Sequence, residues 1–72
     1  MLKIKTVKKG SYNYLIVNNN IICAFNEVKN YFVKCNTCEI TLDIIECINK
    51  FREKYNLNPI TIEHYSHWYI KF

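Results

Sequence analysis

The pattern of apolar and polar positions changes period along the chain of 72 residues. Residues 1–9 alternate, with Leu2, Ile4 and Thr6 on one side and Lys3 and Lys5 on the other, the period-two signature of a strand. Gly10-Ser11 follows where a hairpin would reverse. Residues 12–17 read as a second strand, apolar on both faces apart from Asn13, as a central strand covered on both sides would be. Asn18-Asn19-Asn20 predicts a second tight turn, because Asn tolerates the left-handed backbone that such turns demand. Residues 21–25 then supply a third strand and complete an antiparallel meander.

Residues 26–35 fit two periods. As a helix, Asn26 is a suitable N-cap, Glu27 sits in the first turn, and Val28, Tyr31, Phe32 and Cys35 share a face. As a strand, Tyr31, Val33 and Cys35 would share a face, and the β-branched and aromatic content suits that reading. The helical spacing is the one taken here, as a short helix. Residues 42–55 form the clearest element. Thr41 caps it, Asp43 lies in its first turn, and Ile44, Ile48, Phe51 and Tyr55 point in one direction at helical spacing. Asn56, Asn58 and Pro59 end it. Residues 60–72 alternate again and predict a final strand, with a bulge or reversal near Tyr65-Ser66-His67 because 13 residues exceed ordinary strand length.

These elements predict an α+β fold: a small antiparallel sheet of about four strands, in the order βββααβ, packed against one main amphipathic helix. A mass of 8.7 kDa allows a single small globular domain over residues 1–72. Half of the residues are apolar, 15% aromatic and 22% charged, a balance that favours a packed core over disorder. The longest apolar runs, Leu15-Ile16-Val17 and Ile21-Ile22-Cys23-Ala24-Phe25, are far shorter than the roughly 20 residues of a membrane helix.

Charge sharpens the picture. The net charge is +4, and Lys3, Lys5, Lys8 and Lys9 carry the whole excess, since the remaining acidic and basic residues cancel. Such a cluster attracts a nucleic acid or an acidic protein surface, and it also keeps an edge strand from pairing with copies of itself. Lys outnumbers Arg nine to one, and the chain is rich in Ile, Asn, Lys, Tyr and Phe, residues of AT-rich codons. That bias suggests an AT-rich bacterium, phage or mobile element. Residues 1–10 lack the apolar stretch of a secretory leader, so a cytoplasmic location is expected (a host cytoplasm for a phage protein). Cys23, Cys35, Cys38 and Cys47 then read as reduced thiols.

Several constellations could carry chemistry. Cys35 and Cys38, with His64 and His67, make a complete zinc set by donor type. On a straight strand, however, His64 and His67 point to opposite faces, so only a turn or helical kink would let both reach one ion. No metal or other cofactor is therefore expected. The C-x-x-C pair would suit thiol-redox chemistry only at a helix N-terminus within a βαβ unit, which this chain does not offer. No nucleophile elbow, P-loop or zinc-protease pattern occurs, and an enzyme is not expected.

The remaining candidate is a surface. Tyr65, His67, Tyr69 and Lys71 fall on the polar side of residues 60–72, where exposed rings would form a docking row steered by Lys3, Lys5, Lys8 and Lys9. The expected function is that of a non-catalytic binding protein whose target is another protein. Size and composition would suit an inhibitor of a host defence system, of anti-CRISPR type, carried by a phage or mobile element and acting by steric occlusion. A basic nucleic-acid-binding domain, zinc-stabilised or not, a small thiol-redox or other enzyme, and a homodimer seam on the same rings are the alternatives.

Overall fold

The computed structural model describes residues 2–35 and 40–67. Strands β1 (Ile4–Lys9), β2 (Tyr12–Val17), β3 (Asn20–Asn26) and β4 (Tyr31–Lys34) precede helices α1 (Leu42–Glu53) and α2 (Ile62–Ser66). The strands form one antiparallel sheet in the order β1-β2-β3-β4. The fold is thus α+β, with four antiparallel strands and one main helix as predicted, but the fourth strand comes from a different part of the chain.

Each reversal has a local cause. Gly10, at φ +60°, opens the two-residue turn that pairs Lys9 with Tyr12. Asn18 and Asn19, at φ 51° and 67°, make the two-residue turn between Val17 and Asn20, where both central residues must be left-handed. The third reversal overturns the short helix expected over residues 26–35. The Asn26 Oδ1 does accept from the backbone N–H groups of Val28 and Lys29, at 3.0 and 2.8 Å, as an N-cap would. A single turn is all that it starts. Asn30 then enters the left-handed region at φ 55°, and Tyr31, Phe32 and Val33 pair with β3. β-branched and aromatic residues fill a half-buried pleated surface better than one extra helical turn.

A bulge in β3 shapes the far end of the sheet. Leu15 pairs with Cys23 but Ile16 pairs with Ile21, which leaves Ile22 as the extra residue. Its carbonyl is thereby available to two donors, the Cys35 N–H at 3.0 Å and the Tyr65 hydroxyl at 2.8 Å.

Both helices lie on one face of the sheet. Thr41 caps α1 by accepting from the Ile44 N–H, with Asp43 in the first turn and Lys50 and Arg52 in the last. The helix ends where Asn56 turns left-handed, at φ 60°, and the Leu57 N–H reaches back to the Arg52 carbonyl at 3.1 Å. Ile45, Ile48 and Phe51 are its buried stripe, and they meet Leu15, Val17, Ile22, Cys23 and Phe25 from the sheet. Phe25 stacks on Tyr55 with ring centroids 4.3 Å apart. Burying each such side chain contributes about 1.5–3 kcal/mol.

The expected C-terminal strand is also corrected. Asn49 holds the chain after α1 by a two-way bond, its Nδ2 donating to the Ile60 carbonyl at 3.1 Å and its Oδ1 accepting from the Ile60 N–H at 2.8 Å. Thr61 then caps α2, accepting from the His64 N–H, while the His64 ring accepts from the Thr61 N–H. This reciprocal cap converts an alternating sequence into a helical turn, because two N-terminal donors find partners that a strand would not offer. Residues 68–72, the rest of the expected strand, lie outside the described residues.

Candidate functional site

Tyr65 is one ring of the expected docking row, and the structure seals it in the core at 1% exposure. Its hydroxyl donates to the bulge carbonyl of Ile22. The buried Lys34 ammonium donates to the Tyr65 backbone carbonyl at 3.0 Å and lies 4.9 Å from the centre of the Tyr65 ring. Helical spacing turns Tyr65 inward, where strand alternation would have turned it out. His67 is exposed, with its ring bonded to the Glu63 carbonyl, and Tyr69 and Lys71 fall outside the described residues. The expected row is therefore not assembled by what the structure describes.

Nor do the described candidate metal ligands, Cys35, His64 and His67, form a group. His64 and His67 are now one helical turn apart, the condition under which they could share an ion. Yet the His64 ring faces its own N-cap, Cys38 lies outside the described residues, and Cys35 sits half-buried on the sheet. No group of three potential ligands forms among the described residues. Burial raises the Cys23 thiol well above the ordinary range, and it raises Cys35 and Cys47 as well. A redox thiol needs the opposite shift.

The surface that the structure does build lies on the other side of the sheet. Strand alternation and the register place Lys5, Val7 and Lys9 of β1 beside Ile16, Tyr14 and Tyr12 of β2. Ile21, Ala24 and Asn26 of β3 come next, then Tyr31 and Val33 of β4. Among the described residues, neither helix covers this face. A central strand apolar on both sides is therefore not covered on both sides by the described chain, contrary to the reading of residues 12–17.

Three tyrosines organise the face. The Tyr12 and Tyr14 rings stack with centroids 5.9 Å apart, and Tyr31 meets Tyr12 edge-on at 6.4 Å. The Tyr12 and Tyr31 hydroxyls share a hydrogen bond of 2.5 Å, which, with burial second, raises the Tyr31 phenol above the usual tyrosine range. Beside them a cleft of about 680 Å3 opens over Ala24 and Val33, with Ile16 and Ile21 on its far wall. Ile21 is 44% exposed.

Charge is mixed on the helical side, where Lys50 and Arg52 share α1 with its acids, and purely basic on the tyrosine face among the described residues. Lys3, Lys5 and Lys9 belong to the tyrosine face by alternation, and all are exposed. Lys8 belongs to the helical face, where its ammonium pairs with the Glu27 carboxylate at 3.0 Å. Asp43, Glu46 and Glu53 are on α1 and Glu63 is on α2. Among the described residues, no acid stands on the tyrosine face.

The sequence carried a signal for this surface. Tyr12, Tyr14 and Ile16 alternate against Asn13, Leu15 and Val17, and the strand reading of residues 26–35 would have added Tyr31 and Val33 to the same face. Taking that segment as a helix hid the patch. Comparison with family models, with curated proteins and with solved structures finds no match to this chain.

Proposed function

We propose that this protein is a non-catalytic binding protein that docks on another protein through the tyrosine face of its sheet. One observation carries the reading: an apolar, tyrosine-rich sheet face opposite both helices, edged by Lys5 and Lys9 and free of acids among the described residues. Aromatic and aliphatic residues at the centre with charge at the rim is the make-up of a protein interface. The rings of Tyr12, Tyr14 and Tyr31 pack on one another, which lowers the entropy lost on docking and favours a shaped partner over stacked bases. Lys5 and Lys9 would steer an acidic surface toward the face. The finer form of the proposal, suggested by size and composition, is an inhibitor from a phage or mobile element that occludes a host defence factor in the anti-CRISPR manner.

A photo-crosslinking residue placed at Tyr14 tests this directly, with one at Glu53 on the helical side as control. A discrete adduct from position 14 alone, sensitive to protease and resistant to nuclease, is the expected result. A nuclease-sensitive adduct would replace the protein reading with nucleic-acid binding through the same rings and lysines. Equal labelling from both positions would remove the face as a site.

A further inference from the structure

β1 is an edge of the sheet, and its outward hydrogen-bonding groups can be identified. Lys3 turns its backbone inward: its carbonyl accepts from the Asn18 N–H at 2.8 Å, and its N–H donates to the Asn18 side chain at 2.9 Å. Lys9 closes the first hairpin opposite Tyr12. Because antiparallel strands alternate the side to which each residue points its backbone, Lys5, Val7 and Lys9 also face β2. The N–H and C=O groups of Ile4, Thr6 and Lys8 therefore face outward, with no strand of the described chain beyond them.

Side chains along this edge divide by face. Ile4 and Thr6 point to the helical side, and Ile4 is 53% exposed despite its size. It overhangs a groove of about 570 Å3 between β1 and α1, floored by Leu2, Leu15 and Phe51 and bordered by Cys47, because α1 crosses the middle of the sheet and leaves β1 uncovered. The α1 rim of that groove is mixed in charge, with Asp43 and Glu46 beside Lys50 and Lys54. Lys3, Lys5 and Lys9 point to the opposite side.

We infer that the free edge of β1 accepts an extended acidic segment of a partner chain as a fifth strand, its apolar side chains set alternately into the groove beneath Ile4. Strand addition satisfies the outward backbone groups, and a strand's period of two matches the two unlike faces. Carboxylates directly across from Lys5 and Lys9 are favoured, and on the helical side the apolar floor of Leu2, Leu15 and Phe51 takes aliphatic side chains. The chemistry thus specifies acidic residues at every second position with aliphatic residues between. A second copy of this chain does not meet that specification, since pairing β1 with itself brings its three lysines along the same seam as three more. The inference does not rest on the tyrosine face, and either surface can fail without the other.

The probe is a synthetic seven-residue peptide of alternating Glu and Val. Three peptides serve as controls: the Lys–Val counterpart, a composition-matched peptide with the glutamates in one block, and a short oligothymidine. Amide exchange by NMR is read on the whole protein. The alternating peptide should slow exchange at the Ile4, Thr6 and Lys8 amides about tenfold or more, with Lys5 and Val7 already protected by β2. Charge reversal by Lys5→Glu with Lys9→Glu should abolish the effect. Thr6→Pro should abolish it too, because that N–H is the one removed, while Thr6→Val should retain it. Should Thr6→Pro fail to fold, the wild-type exchange pattern and the charge reversal still decide. The inference is overturned by absence of protection at millimolar peptide or by equal protection from the blocked or lysine peptide. Protection that follows protein concentration without peptide, which is self-pairing, also overturns it, as does protection by the oligonucleotide alone.

Discussion

Among the described residues, every non-glycine position with positive φ is an asparagine: Asn18, Asn19, Asn30 and Asn56. With a single glycine in the chain, Asn takes over the left-handed positions, since its short polar side chain lowers the cost of that backbone. Asn56→Gly should raise thermal stability by up to about 1 kcal/mol, roughly 4–8 °C for a domain of this size, and Asn56→Ala should lower it by a similar amount. Calorimetry on the two variants checks the sign of each. Glu27 supplies a pH test. Lys8, first, and the Asn13 amide hold its carboxyl below the ordinary glutamate range. A depressed carboxyl stabilises the fold above its unfolded value, and that contribution disappears as pH falls through the lower folded value. An NMR titration of the Glu27 carboxyl should therefore show a lower midpoint in the wild type than in Lys8→Ala.

At the level of elements, the sheet and α1 are fixed by their own residues, whereas α2 depends on what it touches. Five residues are too few to hold a helix alone. Its position is set by Tyr65, through the bond to the Ile22 carbonyl, and by Asn49, which clamps Ile60 just before it. Tyr65→Phe keeps the ring but loses that bond, while the Cys35 N–H still occupies the carbonyl. The expected cost is about 1 kcal/mol, seen as a lower urea midpoint at unchanged slope. Tyr65→Ala should cost about 3–5 kcal/mol, because it also opens a cavity under α2. The meander and α1 were legible because their turns and caps are local: Gly10-Ser11, Asn18-Asn19 and Thr41 act within a few residues. α2 was not, because its cap pairs Thr61 with a histidine in place of the usual acid or amide, and alternation over residues 60–72 masked it.

For the molecule as a whole, two layers divide the work. Asp43, Glu46, Glu53 and Glu63 stand on the helices, while the sheet presents Tyr12, Tyr14 and Tyr31 with Lys5 and Lys9. Among the described residues, no helix is long and apolar enough to cross a membrane. If the tyrosine face serves binding and not folding, its variants will separate the two. Tyr14→Ser should change stability by no more than about 1 kcal/mol, the scale of a cross-strand pair, yet abolish partner crosslinking. Phe51→Ala, on the other side of the sheet, should cost about 3–5 kcal/mol. Chemical denaturation and crosslinking, measured on both variants, distinguish the roles.

By itself the sequence determined the α+β class, the meander, the start of α1 and the excess of lysine around β1, all of which follow from periods and caps that span a few neighbours, while α1 stops at Glu53, two residues short of the expected end. Tertiary structure decided which aromatics are buried. Tyr65 and Tyr14 are the same residue type in similarly alternating stretches, yet one reaches a bulge carbonyl 43 positions away and the other faces away from both helices. That difference arises from long-range partners, the Ile22 carbonyl and the Lys34 ammonium, which no local pattern encodes.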